Sequence, residues 1–367
     1  MRPRLTSLIT ALWGFVLVGA LIAAGAAVML LRDRLNAATE DALAEAVTMR
    51  SQGLALDFAR ALHEEWNGAR TIASEIAPRD LEAVRSSLDL VVGDGSRVSW
   101  AGIAAIDGRV TVASGGLLEG QDVSSRPWFQ RGLEGDFAGD VHDALLLAKL
   151  LPSIDGEPRR FLDLSTPVKI GNDTVAVLGL HLDAAWAKKH VAESAKAMGI
   201  DAFLVDPSGN VMLSSTDDPA TALDLPSIRA AQLGAAATSL ETWPDGKSYF
   251  TTVLPKFGYA DLPSFGWSLV ARIDDGAFSK RGLAISQYVA LYLAGIGLLL
   301  SVLTAVFVTT FLSPLRRLAN NAAIILRGDE VYPFETRSSE EAALLSAAIA
   351  RLQHNQMNES PAVASSS

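Results

Sequence analysis

Apolar positions in this chain form two long uninterrupted runs toward its ends, and between them the pattern alternates over short distances. Residues 5–31 are 27 consecutive uncharged residues, more than the roughly 20 that a helix needs to cross a hydrocarbon core. Residues 282–315 are 34 more, greasiest over 289–312. These runs predict transmembrane helices at 5–31 and 283–312. Arg2 and Arg4, followed by the small residues 23–27, also suit a cleaved leader, although a leader carries only about 7–15 apolar residues. Two spans place residues 33–280 on one side of a bilayer and both chain ends on the other. A slight excess of Arg2, Arg4, Arg316, Arg317 and Arg327 over Arg32, Arg34, Lys280 and Arg281 favours cytoplasmic ends.

Within 33–280 the period changes. Leu54, Phe58, Leu62, Trp66, Ala69 and Ile72 step by 4, 4, 4, 3 and 3, which is one face of a long helix leading out of the first span. Short strands follow at 98–106, 109–113, 161–168 and 174–183, with Asp107-Gly108 and Gly171-Asn172 as turns. A helix at 184–198 precedes a second strand set at 202–205, 211–214, 248–254 and 267–273. The stretch 140–143, 145–151 and 155–158 reads as a helical flap with a turn. The order predicts an α+β chain: a long N-terminal helix, then two tandem antiparallel-sheet units at 85–183 and 200–275.

Composition narrows the chemistry. With 49% apolar residues, 367 positions suit two domains plus a lipid-soluble part. A net charge of −10 argues against a nucleic-acid partner, which needs a basic face. The absence of cysteine removes disulfides, thiolate metal sites and cysteine nucleophiles. His63, His142, His181, His190 and His354 are scattered without metal spacing, and phosphate-loop, zinc-protease and nucleophile-elbow strings are missing. No cofactor and no enzymatic activity are expected.

The string Ser125-Arg126-Pro127-Trp128-Phe129-Gln130, followed by Gly135 and Gly139-Asp140-Val141, resembles the signature of Cache domains, the extracytoplasmic PAS-like sensors of bacterial signalling proteins. Ser165-Thr166-Pro167-Val168 and Val177-Leu178-Gly179-Leu180-His181-Leu182-Asp183 resemble that module's two central strands. The resemblance covers most of 33–280 and is sharper in the first unit. It implies a double Cache sensor whose membrane-distal unit holds a small-molecule ligand beneath the Arg-Pro-Trp helix.

The residues supply their own chemical case. Arg126 offers a planar fork for a carboxylate, and Trp128 and Phe129 offer flat apolar walls; equally, the two rings suit a core and Arg126 an acidic neighbour. In 174–183 the even positions Ala176, Leu178, Leu180 and Leu182 are apolar, so His181 faces the other way. Asp163 and Ser165 share that parity on the neighbouring strand, so Asp163, Ser165 and His181 are expected to converge beneath Arg126. A satisfied structural histidine is the alternative for His181. His142 and Lys149, on the flap, are secondary candidates. Amino-acid-binding Cache proteins carry Asp where His181 stands and Tyr where Gln121 stands, so the resemblance points away from amines and toward an organic acid. The Gly-Leu-His-Leu-Asp strand is also similar to sensors ahead of diguanylate cyclases.

After the second span, Leu315, Leu318, Ala322 and Ile325 are spaced 3, 4, 3, as are Ala342, Leu345, Ile349 and Leu352. Two such seams joined by a connector resemble a HAMP domain at 313–354, which implies a homodimer built on a parallel four-helix coiled coil. A surface helical hairpin would carry the same seams. Residues 355–367 have the composition of a disordered tail. The expected whole is a multi-pass receptor of the bacterial inner membrane, with 33–280 periplasmic, acting on a separate cytoplasmic effector: a cyclic-di-GMP enzyme, a histidine kinase or a chemotaxis complex. A solute-binding protein serving transport, or a truncated receptor modulating full-length relatives, are the rival readings.

Overall fold

A computed structural model describes all residues except 1–7, 76–79, 144–146, 148–149, 152–158, 217–222, 328, 330, 333 and 360–367. The chain divides into two compact units, residues 38–279 and a second composed of 1–37 with 280–367.

The first unit begins on helix α1 (Leu8–Glu75), whose predicted apolar face is its buried face: Leu54, Phe58, Leu62, Trp66 and Ala69 are all fully buried. Each large member contributes about 1.5–3 kcal/mol through that burial. A short helix, α2 (Leu81–Val92), follows and turns Val84 and Leu88 inward. Strands β1 (Val98–Ala105) and β2 (Val110–Ala113) come next, then helix α3 (Pro127–Glu134) and strands β3 (Phe137–Asp143), β4 (Arg160–Ile170) and β5 (Asp173–Asp183). These five strands form one antiparallel sheet in the order β2-β1-β5-β4-β3.

Helix α4 (Ala184–Met198) leads to the second sheet. It comprises β6 (Asp201–Val205), β7 (Val211–Ser214), β8 (Ala237–Thr242), β9 (Ser248–Pro255) and β10 (Ser268–Asp274), with helix α5 (Pro226–Gln232) between β7 and β8. The order β7-β6-β10-β9-β8 repeats the permutation of the first sheet. Even the strand ends repeat: His181-Leu182-Asp183 and Arg272-Ile273-Asp274 each finish on an aspartate that accepts backbone N–H groups of the next helix, Asp183 from Ala185 at 2.8 Å and Asp274 from Gly276 at 2.7 Å. Such side chains satisfy donors that the first helical turn leaves orphaned.

The α+β prediction with two tandem antiparallel sheets therefore stands, with two corrections. Residues 140–143 were expected in a helical flap and instead belong to edge strand β3, because their backbone pairs with β4. Edge strand β8 and helices α2 and α5 had no counterpart in the pattern. Most of the remaining flap lies outside the described residues.

In the second unit, helix α6 (Gly276–Phe307) passes through a wide π turn at Val308–Leu312 into α7 (Ser313–Ile325). Pro314 accounts for that turn: it lacks an N–H and its ring crowds the carbonyl of residue 310, which a regular turn does not tolerate. Residues Ile9–Leu30 and Leu291–Ile325 are long and apolar enough to cross a membrane, with 0% and 6% of their most apolar stretches buried. Helix α8 (Glu340–Glu359) packs against α7. The extended connector lies along it, pinned by Ser346 Oγ donating to the Phe334 carbonyl at 2.9 Å and Gln353 Nε2 to the Val331 carbonyl at 2.6 Å. Within one chain Leu318, Ile325 and Ala342 are buried, while Leu315, Leu345 and Leu352 remain exposed.

Candidate ligand cavity

The cavity forms where β5 turns its odd-numbered face toward α3. Strand register sets its floor: His181 pairs across from Asp163 on β4 and from Trp100 on β1. The His181 ring is stacked between Trp100 and Phe161, with centroids 4.9 and 5.7 Å away, and meets Trp128 edge-on at 6.0 Å. Its Nδ1 donates to Asp163 Oδ1 at 2.5 Å. Asp163 is 3% exposed and His181 8%, so each supplies the polar partner the other needs away from water. His142 approaches from β3, its Nε2 3.6 Å from the second Asp163 oxygen.

The roof is α3. Arg126 is its N-cap residue in extended conformation, and Pro127 opens the first turn, where a missing N–H costs nothing. The helix sits close to the sheet because glycines allow it: a Cβ on Gly179 would lie 2.7 Å from the Trp128 ring. Ser165 Oγ then fixes the helix by donating to the Trp128 carbonyl at 2.7 Å.

A cavity of about 70 Å³ remains, lined by Trp100, Arg126, Trp128, His142, Phe161, Asp163 and His181 together with Leu118, Val123, Pro127, Asp143 and Leu147. Among the predicted residues, Arg126, Trp128, His142, Asp163 and His181 are thus brought together. Phe129 and Ser165 are buried beside the cavity without lining it, Phe129 in the apolar cluster under α3 and Ser165 in the bond to Trp128. Lys149 lies outside the described residues. Trp100 and Phe161 were missed. Phe161 shares the odd parity of Asp163 and could have been read from the sequence. Trp100 could not, since its place depends on how β1 registers with β5.

The charges around the cavity are unequal. Asp163 is engaged by His181, and Asp143 lies 3.5 Å from Arg160. Arg126 is half-buried, its backbone is hydrogen-bonded to Val123, Phe129 and Gln130, and its guanidinium has no hydrogen-bond or ionic partner among the described residues. Its guanidinium is therefore the group at this site best placed to take an external acceptor. In the second sheet the arginine at the strand position of His181 is already engaged: Arg272 lies 4.1 and 4.0 Å from the ring centres of Trp243 and Tyr249 and donates to Asp201 at 2.9 Å.

No family model matches the chain, and no curated protein matches it. In structure it is similar to the ligand-binding domain of the Pseudomonas fluorescens chemoreceptor CtaA in complex with L-leucine, at 18% identity and a TM-score of 0.47, over 67% of this chain and 98% of that one. It is similar too to the sensory domain of the Campylobacter jejuni chemoreceptor Tlp3 with isoleucine bound, at 13% identity and a TM-score of 0.49, over 66% and 96%. The ligand-binding domain of the Pseudomonas aeruginosa amino acid chemoreceptor PctB in complex with L-Arg shares 17% identity at a TM-score of 0.46, over 65% of this chain and 96% of that one.

Proposed function

We propose that the chain is a transmembrane sensory receptor of the bacterial inner membrane. Residues 33–280 face the periplasm and bind a small organic acid in the distal cavity, and both chain ends face the cytoplasm. The signal passes through a dimeric HAMP-like helix pair at 313–354 to a separate effector: a cyclic-di-GMP enzyme, a histidine kinase or a chemotaxis complex.

The observation that carries this reading is the half-buried Arg126 guanidinium over an aromatic floor whose buried carboxylate is already occupied by His181. A carboxylate ligand gains a bidentate, charge-assisted pair with Arg126. An ammonium group would have to compete with His181 for Asp163, which disfavours simple amines and amino acids. Trp128 and Phe161 remove the ligand's carbon skeleton from water, and Ser165 and Phe129 hold α3 in place above it. Binding can shift the receptor between two packings only by its difference in affinity for them, about 1.4 kcal/mol for each tenfold.

The test is a thermal-shift screen of the full chain in detergent against short organic acids, their 2-amino counterparts and purines. At a hundred times the dissociation constant, binding stabilises by about 2.7 kcal/mol. Arg126→Ala should abolish the shift while leaving the unliganded melting temperature nearly unchanged. Loss of folding in that variant, or a preference for the amino forms, would contradict the reading.

A further inference from the structure

Strand β3 touches the cavity and the second sheet alike, and it does so where its pairing slips. Its register with β4 holds at Gly139 opposite Asp163 and resumes at His142 opposite Phe161. Asp140 and Val141 therefore sit in a bulge, a device that re-aims side chains. On one side of it, His142 lines the cavity. On the other, Asp140 Oδ1 accepts from Trp267 Nε1 at 2.9 Å and from the Val141 backbone N–H at 2.7 Å. The two sides are tied together, since His142 Nδ1 donates to the Asp140 carbonyl oxygen at 3.0 Å.

Trp267 is well placed to receive a displacement. It is 1% exposed, stacks on Phe265 at 4.7 Å, and immediately precedes β10. That strand is held between β6 and β9 and ends on the aspartate that caps α6. A buried indole N–H has no water to turn to, so it follows its acceptor or loses a hydrogen bond.

We infer that the hydrogen bond between Asp140 and Trp267 is the link through which the state of the distal cavity sets the pairing of β10, the strand that leads into the second apolar helix. This regulation rests on the receptor reading above. A ligand that moves His142 pulls on the Asp140 carbonyl, turns the bulge and re-aims the carboxylate, and Trp267 carries the change to the start of β10. Asp140 and Trp267 are positioning residues: neither lines the cavity. A second route exists in principle through Asp183 and α4, and it does not pass through Trp267, so the two can be separated.

The experiment uses the full chain in lipid nanodiscs and adds no ligand. Hydrogen–deuterium exchange is followed over residues 268–274 in the native chain, His142→Ala, Trp267→Phe and the double variant. His142→Ala should speed exchange there about threefold by loosening β10 locally, and should have no effect once Trp267 is Phe, which keeps an aromatic ring but donates nothing. Asp140→Asn retains an acceptor oxygen and should preserve the His142 effect, whereas Asp140→Ala should erase it. Should Trp267→Phe not fold, the cycle is run with Asp140→Ala in its place. Equal acceleration in both backgrounds, or none in the native one, overturns the inference, because a merely structural tryptophan gives additive effects. Failure here leaves the ligand reading intact, which fails separately if ligand stabilisation survives Arg126→Ala.

Discussion

His181 and Tyr249 show what a single side chain contributes when its surroundings are fixed by register. The orientation of His181 followed from alternation alone, because the even positions of its strand are apolar and the odd ones had to face away. Its aromatic sandwich did not follow, since Trp100 lies 81 positions earlier and meets it only through strand pairing. Tyr249, in the second sheet, lends itself to a pH test. Burial, reinforced by its hydrogen bond to Asp245 at 2.6 Å, raises its phenol from 10.0 to about 12. A folded-state value above the unfolded one favours the proton-bound folded state, so the associated stability is present below pH 10 and is lost as pH rises toward 12. An absorbance titration should show one of the five tyrosines ionising late, and Tyr249→Phe should remove that component and flatten the alkaline loss of stability.

At the scale of elements, the cavity is a matter of how closely α3 lies on its sheet. Gly179→Ala would press a methyl group against Trp128; overpacking of this kind costs about 1–3 kcal/mol. A lowered melting temperature, together with weakened ligand protection at unchanged Arg126, is the expected outcome. Elements with strong periodicity were legible in the sequence: α4 and the central strands fall within a residue or two of expectation, and α1 buries the apolar face its spacing predicts. Those that escaped carry weak patterns. Strand β8 has a single buried position, Glu241, on a sheet edge, and β3 spends two of its seven residues on a bulge that breaks the alternation. Both exist because a neighbouring strand supplies their hydrogen bonds, which no local pattern records. For the same reason the site was only half readable: parity located Asp163, Ser165 and His181, but the bond of Ser165 to the α3 backbone depends on tertiary packing.

For the whole molecule, the exposed Leu315, Leu345 and Leu352 are an apolar surface that one chain leaves uncovered. A second copy is the proposed cover. Because the native chain has no cysteine, Ile349→Cys provides a single reporter; in oxidised membranes it should give a disulfide-linked pair. Adding Leu345→Glu should cut the yield about tenfold, the effect of roughly 1.4 kcal/mol of unpaired charge at a packed seam. Undiminished cross-linking would place the contact elsewhere. The wide turn at Val308–Leu312 bears on how such a seam could be worked. A π turn holds one residue more than a regular one, so everything downstream is set, around the helix axis, about 100° away from where an uninterrupted α-helix would place it. Leu315 and Leu318 thereby face where their neighbours would otherwise sit. By excluding a regular turn, the proline ring fixes the phase in which the seam is presented.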